Sequence, residues 1–402
     1  MHNLTKIKVF RVLLWLTYPV ALIFIYPFAL LRRKKRTHLF FFFDRYAIGG
    51  AQRIHLDILT SVEDVQKQVF FTRRSPNDGL KEAFYSLPNT ECSDIHIWCD
   101  YLLLRLFSVH YFAFYLNRHK KVHALSSNST FFYDMLPFLG ANVHKTELLH
   151  NFSYGKNGME FFGLANHRLL DTRIVYDSFT LSNIKKQYRE FSIPQRFIDR
   201  ILFIEPGVDV PDSAPLKIDR PLKILYAGRG GPQKRVWLIN KIASHFITTK
   251  LPVEFHFAGP LSGEIEEEIK NASIVHGEIK SKEAMKKIYD ASHIIILTSA
   301  YEGFPMVIKE GMASGCVPLV TALEGNKMHL KSGFNAVLIE DYTNEEAVVR
   351  QGITAITSLL DNRSGLQHLS ASAYQYAKDH FTKAHFLATY RNFLLNESDT
   401  LL

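Results

Sequence analysis

A chain of 402 residues has room for about two to three domains, and with 47% hydrophobic and 22% charged residues it has the make-up of a folded globular protein, not a disordered one. Its formal net charge is +9, yet Lys6, Lys8, Arg11, Arg32, Arg33, Lys34, Lys35 and Arg36 supply nearly all of it, and residues 1–36 contain no acidic residue. The near-neutral remainder argues against a nucleic-acid binder, whose folded domain would carry a basic face, and directs the basicity toward a membrane surface.

At the N-terminus, Val12–Leu31 is a run of 20 residues without a charge. As a helix it is long enough to cross a hydrocarbon core. Trp15, Tyr18 and Tyr26 are residues that favour the membrane interface. Pro19 and Pro27 would kink a spanning helix. A transmembrane helix and a monotopic helix or hairpin in one leaflet therefore both fit. A cleaved signal peptide fits less well, because no small-residue cleavage site precedes the basic cluster. The heavier basic flank lies C-terminal to the run, so a spanning segment would keep the body on the cytoplasmic face.

From residue 38 onward, short apolar runs alternate with helical stretches. The first series of strands is read at 39–43, 68–72, 95–98, 122–126, 147–150, 173–177 and 201–204. The second is read at 223–227, 253–258, 273–276, 293–298, 317–320 and 336–339. Most are continuously apolar, the pattern of strands buried on both faces of a parallel sheet. Two tandem βα series predict an α/β protein of two doubly wound, Rossmann-like parallel-sheet domains facing a central cleft. The expected boundaries are a membrane-associating segment at 1–36, an N-terminal domain at 37–204, a linker at 205–222, a C-terminal domain at 223–380 and a final helix in 381–402. The linker reading rests on Pro206, Pro211, Pro215 and Pro221 in a stretch without apolar periodicity. The final helix carries Phe386, Leu387, Tyr390, Phe393 and Leu394 at helical spacing and needs a surface to pack on, the first domain being one candidate. Three cysteines, Cys92, Cys99 and Cys316, form no disulfide or zinc pattern, as expected in a reducing cytosol.

Ligands of doubly wound sheets sit at the carboxyl ends of strands, and four clusters fall there. The richest runs from Ser299 to Gly315. Within it, Gly303 allows close backbone approach, Phe304, Pro305 and Met306 open a helix, and Gly315 ends it. The free amides at that helix start favour an anion such as a phosphate. Glu310 lies one turn beyond Met306 on the same face and can reach the same ligand. Two Glu residues eight apart recur by chance, so Glu302 and Glu310 gain meaning only from the strand–loop–helix context. In the second cluster, Gly228 opens a loop to which Arg229 and Lys234 bring a forked guanidinium and a point charge, a pair suited to a diphosphate. The third places Gly49 and Gly50 at the start of a helix, where phosphate or acceptor could be met; a plain βα turn is the alternative. In the fourth, His150 ends a strand and could hydrogen-bond a sugar, although most histidines are structural.

These clusters, in this order from about Leu39 to Leu394, resemble glycosyltransferase family 4 (glycosyl transferases group 1), the retaining transferases of GT-B architecture. Glu302–Glu310 with Gly303-Phe304-Pro305 inside carries most of the resemblance, followed by Gly228-Arg229 with Lys234. Gly49-Gly50-Ala51 with Arg53, and Leu149-His150, match weaker motifs. The resemblance implies that Glu310 holds the donor's ribose, that Glu302 and the amides after it meet the donor sugar and diphosphate, that Arg229 and Lys234 neutralise the leaving diphosphate, and that His150 touches the donor sugar. It also implies a UDP- or GDP-sugar as substrate, with no cofactor. Two departures stand out: Gln52 where the family often has Glu, and Glu205-Pro206-Gly207 where it has Asn-Gly.

The chain contains no Asp-x-Asp pair, and cations with a helix terminus can stabilise the leaving group, so no metal is expected. Together with the N-terminal segment, this predicts a hexosyl- or glycosyltransferase at the membrane's cytoplasmic face acting on a glycan or lipid-linked acceptor in cell-envelope synthesis. Two other readings are an NAD-dependent oxidoreductase, against which the lack of a full G-x-G-x-x-G fingerprint counts, and a non-catalytic sugar- or lipid-binding protein.

Overall fold

The computed structural model describes residues 2–31, 37–150, 152–153, 158–217, 220–279 and 281–395. The basic run Arg32–Arg36 and Asn151 lie outside them. The chain divides into two compact units, Met1–Glu205 with Leu387–Leu402, and Pro206–Phe386.

The first unit begins with two helices, α1 (His2–Phe24) and α2 (Tyr26–Leu31). Pro19 is accommodated within α1, and the break falls at Ile25, two residues before Pro27. Then come β1 (Leu39–Phe43), α3 (Gly50–Thr60), β2 (Lys67–Phe71), α4 (Lys81–Tyr85), β3 (Thr90–Asp94), α5 (His96–Asp100) and α6 (Leu102–Asn117). The unit continues through β4 (Val122–Ser127), α7 (Thr130–Met135), β5 (Val143–Leu149), α8 (Met159–Ala165), β6 (Thr172–Val175), α9 (Ser178–Glu190), α10 (Gln195–Ile198) and β7 (Ile201–Phe203). All pairings are parallel, in the order β3-β2-β1-β4-β5-β6-β7. β1, with four phenylalanines, is fully buried at every position, as its central place between β2 and β4 requires.

The strand expected at 95–98 is not there. β3 lies earlier, at Thr90–Asp94, and Ile97 and Trp98 belong to the short helix α5. β3 is an edge strand, partly exposed and polar in sequence, so it carries no apolar run to announce it.

The second unit contains β8 (Leu222–Ala227), α11 (Val236–Thr249), β9 (Val253–Ala258), α12 (Glu267–Ala272), β10 (Ile274–Gly277), α13 (Lys282–Ala291) and β11 (Ile294–Leu297). It ends with α14 (Met306–Ala313), β12 (Val317–Thr321), α15 (Glu324–Lys327), β13 (Val337–Ile339), α16 (Glu345–Asp361), α17 (Arg363–His380) and the start of α18 (Lys383–Leu395). Its parallel sheet is ordered β10-β9-β8-β11-β12-β13. Both units are therefore doubly wound, as the continuous apolar strands predict. The proline-rich stretch after Glu205 packs on the second unit: Lys309 donates to the Pro206 carbonyl at 3.1 Å, Val208 N–H to Phe381 at 2.7 Å and Tyr374 to Pro211 at 2.6 Å. The last turns of α18 join the first unit, where Arg391 grips Asp64 through both guanidinium nitrogens at 2.6 and 2.9 Å.

Candidate functional site

In the second unit the sheet order reverses between β8 and β11, whose following elements lead to opposite edges. Such a switch point leaves a crevice at the carboxyl strand ends. The two loops flanking it are the Gly228–Lys234 and Ser299–Pro305 segments.

These loops are stitched together. Ala300 N–H donates to the Gln233 carbonyl at 2.8 Å, and the Gln233 side-chain amide returns a bond to the Tyr301 carbonyl at 2.9 Å. Arg235 is buried and donates to the carbonyls of Thr298 at 2.7 Å, Ser299 at 3.1 Å and Tyr342 at 2.9 Å. It does so from a left-handed backbone, φ 49°. Lys234 and Glu302 form an ion pair across the gap, both side chains largely shielded from solvent. Arg229 is exposed on the same loop, and its carbonyl accepts a hydrogen bond from Tyr226 at 2.5 Å.

The β8 loop turns at Gly228, φ 155°, directly against Gly259. A Cβ on Gly259 would stand 1.9 Å from the Gly228 carbonyl oxygen. Both glycines are thus required for the loop to pass so close.

α14 begins at Met306 with Pro305 as its N-cap, one position earlier than a first-turn proline, and no side-chain oxygen caps it. Phe304 is buried beneath the loop. Gly315, φ 70°, follows the helix end as its left-handed stop. Glu310 lies in the second turn of α14, and its carboxylate accepts a hydrogen bond at 2.8 Å from Tyr289 of α13. Burial, with that carboxylate beside it, holds the Tyr289 hydroxyl well above its ordinary pKa, so it remains a donor. The predicted residues of this unit, Gly228, Arg229, Lys234, Glu302, Gly303, Phe304, Pro305, Met306 and Glu310, therefore fall on two adjacent strand ends and one helix. Arg235, Tyr289 and Gly259 were not legible in the sequence: an arginine after a lysine, a tyrosine on an amphipathic helix and a lone glycine carry no signal without partners in space.

In the first unit the reversal lies between β1 and β4. Gly49 caps α3 and Gly50 begins it, as expected. A cavity of 770 Å³ opens at this switch point, lined by Asp44, Arg73, Asn128, Thr130, Arg105 and Asp134 among others. Ile7 and Phe10 of α1 form one of its walls. Burial raises the Asp44 carboxyl above its ordinary pKa, and Gln52 donates to it at 3.3 Å. Arg105 is spent on Asp134 through Nε and Nη2 at 2.8 and 2.6 Å, whereas Arg73 is exposed.

His150 follows β5 and is buried. Its Nε2 meets Nε2 of His55 at 2.8 Å, so one nitrogen donates and the other accepts. Burial pushes the His150 pKa down to about 3, and His55, stacked on Phe43 at 4.0 Å, also lies well below its ordinary value. The pair is neutral, and Nδ1 of His150 has no hydrogen-bond partner among the described residues.

Residues 212–379 match the family "Glycosyl transferases group 1". A UDP-Gal:alpha-D-GlcNAc-diphosphoundecaprenol alpha-1,3-galactosyltransferase of Escherichia coli is 27% identical over 173 residues, 38% of this chain and 45% of that protein. The GtfA subunit of a Streptococcus gordonii UDP-N-acetylglucosamine–peptide N-acetylglucosaminyltransferase is 22% identical over 255 residues, 61% of this chain and 49% of its own length. The chain thus spans half or less of the curated relatives it matches. Among solved structures, Anabaena Alr3699/HepE in complex with UDP superposes with a TM-score of 0.66 at 13% identity, covering 90% of this chain and 100% of that one. The lipopolysaccharide outer core galactosyltransferase WaaB gives 0.65 at 17% identity, covering 90% and 99%. The second unit thus matches the glycosyl transferases group 1 family over residues 212–379, and the fold is that of the GT-B proteins.

Proposed function

We propose that the protein moves a sugar from a nucleotide-diphosphate sugar onto a glycan or lipid-linked acceptor, with retention of configuration, at the cytoplasmic face of a membrane during cell-envelope polysaccharide or lipopolysaccharide synthesis. The observation that carries this reading is the pair of stitched loops at the second unit's switch point. There Lys234 pairs with Glu302 across the two loops, α14 starts at Met306, and Tyr289 fixes Glu310 one turn into that helix. Glu310 binds the ribose hydroxyls. The diphosphate lies against the α14 amides and the two cations, which stabilise it as it departs. This charge meets the leaving group without a metal. Glu302 and the backbone of Gly303 to Met306 position the sugar; for His150 of the first unit, a sugar contact rests on the family resemblance alone. UDP is favoured over GDP because relatives and fold neighbours are described with UDP or UDP-sugars.

The cavity of the first unit takes the acceptor. Gly49 and Gly50 start the helix beside it, and Asp44 and Arg73 offer polar groups to it. A lipid-linked acceptor is favoured because the helix bearing Ile7 and Phe10 at the cavity wall is also the one long and apolar enough to cross a membrane.

The test is incubation with a panel of UDP- and GDP-sugars and a membrane extract, with products read by mass spectrometry. A glycosylated lipid or glycan is expected, unaffected by EDTA and absent for Glu310→Ala. If no sugar nucleotide binds, and Glu310→Ala behaves like the parent chain, the reading is wrong.

A further inference from the structure

α1 carries an 18-residue window, Ile7–Phe24, apolar enough to cross a membrane, but its packing is that of a helix lying on the unit. It runs parallel to α6: Phe10 lies under the Arg105 guanidinium, Leu14 gives its carbonyl to His110 at 3.1 Å and Tyr18 packs on Phe114. Arg11 donates to Asn166 at 2.5 Å, and Arg118 at the end of α6 donates to the Ala29 carbonyl of α2. Leu14, Ala21 and Ala29 are buried by this contact. The opposite face, with Val12, Leu16, Ile23 and Phe28, is exposed.

A second apolar surface adjoins it. Ile97, Trp98, Tyr101, Leu102 and Leu103 at the α5–α6 junction are all more than half exposed, Leu103 at 72%. Ile97 and Trp98 end the run 95–98 that suggests a strand from sequence; in the fold these two side chains are exposed, whereas Ile95 is buried. Trp98 is held in place by its carbonyl, which accepts from Ser108 at 2.9 Å. An apolar cavity of 720 Å³ is lined jointly by Ile25, Phe28 and Leu31 of the N-terminal helices and by Trp98 of the junction, so the two surfaces meet at one seam. An exposed apolar surface of this extent marks an interaction site. The sequence beside it is basic: residues 1–36 have eight Lys or Arg and no acid, and among the described residues Lys120 and Lys121, two and three residues past Arg118, are exposed. Asp100 is the single charge within 97–104.

We infer that Ile97–Leu104 is a second membrane-embedding element, which with α1 and α2 forms one discontinuous face that dips into a single leaflet of an anionic bilayer. This rests on the membrane reading above and replaces a spanning anchor by a two-part monotopic surface. Apolar side chains enter the headgroup–acyl boundary while clustered cations meet anionic lipid.

Single-tryptophan proteins separate the two elements, because the chain has three Trp residues: Trp15 on α1, Trp98 on the junction and Trp237 in the second unit. In vesicles of phosphatidylethanolamine with phosphatidylglycerol, brominated acyl chains should quench Trp98 (in Trp15→Phe/Trp237→Phe) as well as Trp15 (in Trp98→Phe/Trp237→Phe). Vesicle partition of Leu102→Ser/Leu103→Ser should fall about tenfold or more, with an unchanged circular dichroism spectrum. Leu216→Ser, an exposed control in the second unit, should have no effect. Quenching of Trp15 without Trp98 overturns the second element and leaves sugar transfer untouched, since the assay reads lipid contact and not turnover. A double variant that splits a dimer without losing partition also overturns it, in favour of a protein partner.

Discussion

Lys234 and Glu302 stood in the sequence as two separate contributors, a cation for the diphosphate and a carboxylate for the sugar. In the fold they neutralise each other. A diphosphate approaching Lys234 must compete with Glu302 for the ammonium, and charge-assisted hydrogen bonds of this kind are the strong ones. Glu302→Gln is therefore expected to bind UDP several-fold more tightly, by calorimetry, while transfer falls. Lys234→Ala should lose about a hundredfold or more in kcat. Equal UDP affinity in Glu302→Gln and parent would show that the pair does not restrain the lysine. Gly259 is a purely structural demand at the same site. Gly259→Ala forces the β8 loop away from the Gly228 carbonyl, because the contact would be 1.9 Å. Its expected cost is about 1–3 kcal/mol in urea unfolding, with weakened UDP binding. An unchanged midpoint would mean that the loop yields freely.

Among the elements, the strands were largely legible because most are buried on both faces and so are continuously apolar, β1 above all. β3 was missed for the opposite reason: edge strands need no apolar run. α1 was legible as apolar, but its length and composition fit a spanning helix and a surface helix equally. The fold adds its packing on α6, through contacts such as Leu14 with His110 that no periodicity encodes. Removal of residues 1–36 should therefore destabilise the first unit. It uncovers Phe114 and the flank of α6, at a cost of several kcal/mol, on the order of 2 for Leu14 alone. Thermal unfolding in mild detergent would show it, and a truncated chain as stable as the parent would mean that α1 is a detachable anchor.

Over the whole molecule, buried histidines make stability depend on acid. Burial pushes His123 and His150 down to about 3 and His110 down to about 4, from an ordinary 6.5. Between those values the unfolded chain binds protons that the folded chain refuses, so stability rises with pH across the window and falls on acidification from neutrality. Each such ring contributes up to about 1.4 kcal/mol per pH unit. The melting temperature should drop steadily from about pH 7 to about pH 5, and more shallowly in His123→Gln. A flat profile would place these rings in water. By itself the sequence determined the two βα series, the glycines and prolines of the loops, the acidic and basic residues around α14 and the apolar N-terminal run, because each is a local pattern of side-chain type along the backbone. The tertiary structure alone decided that Lys234 pairs with Glu302, that Tyr289 holds Glu310, that Arg235 ties two loops, that His150 is shut against His55 and that Ile97, Trp98 and Tyr101 to Leu103 face outward. These are contacts between residues 20 to 95 positions apart or choices of which face is buried, and they come into being only when the sheets close and bring distant side chains within hydrogen-bond reach.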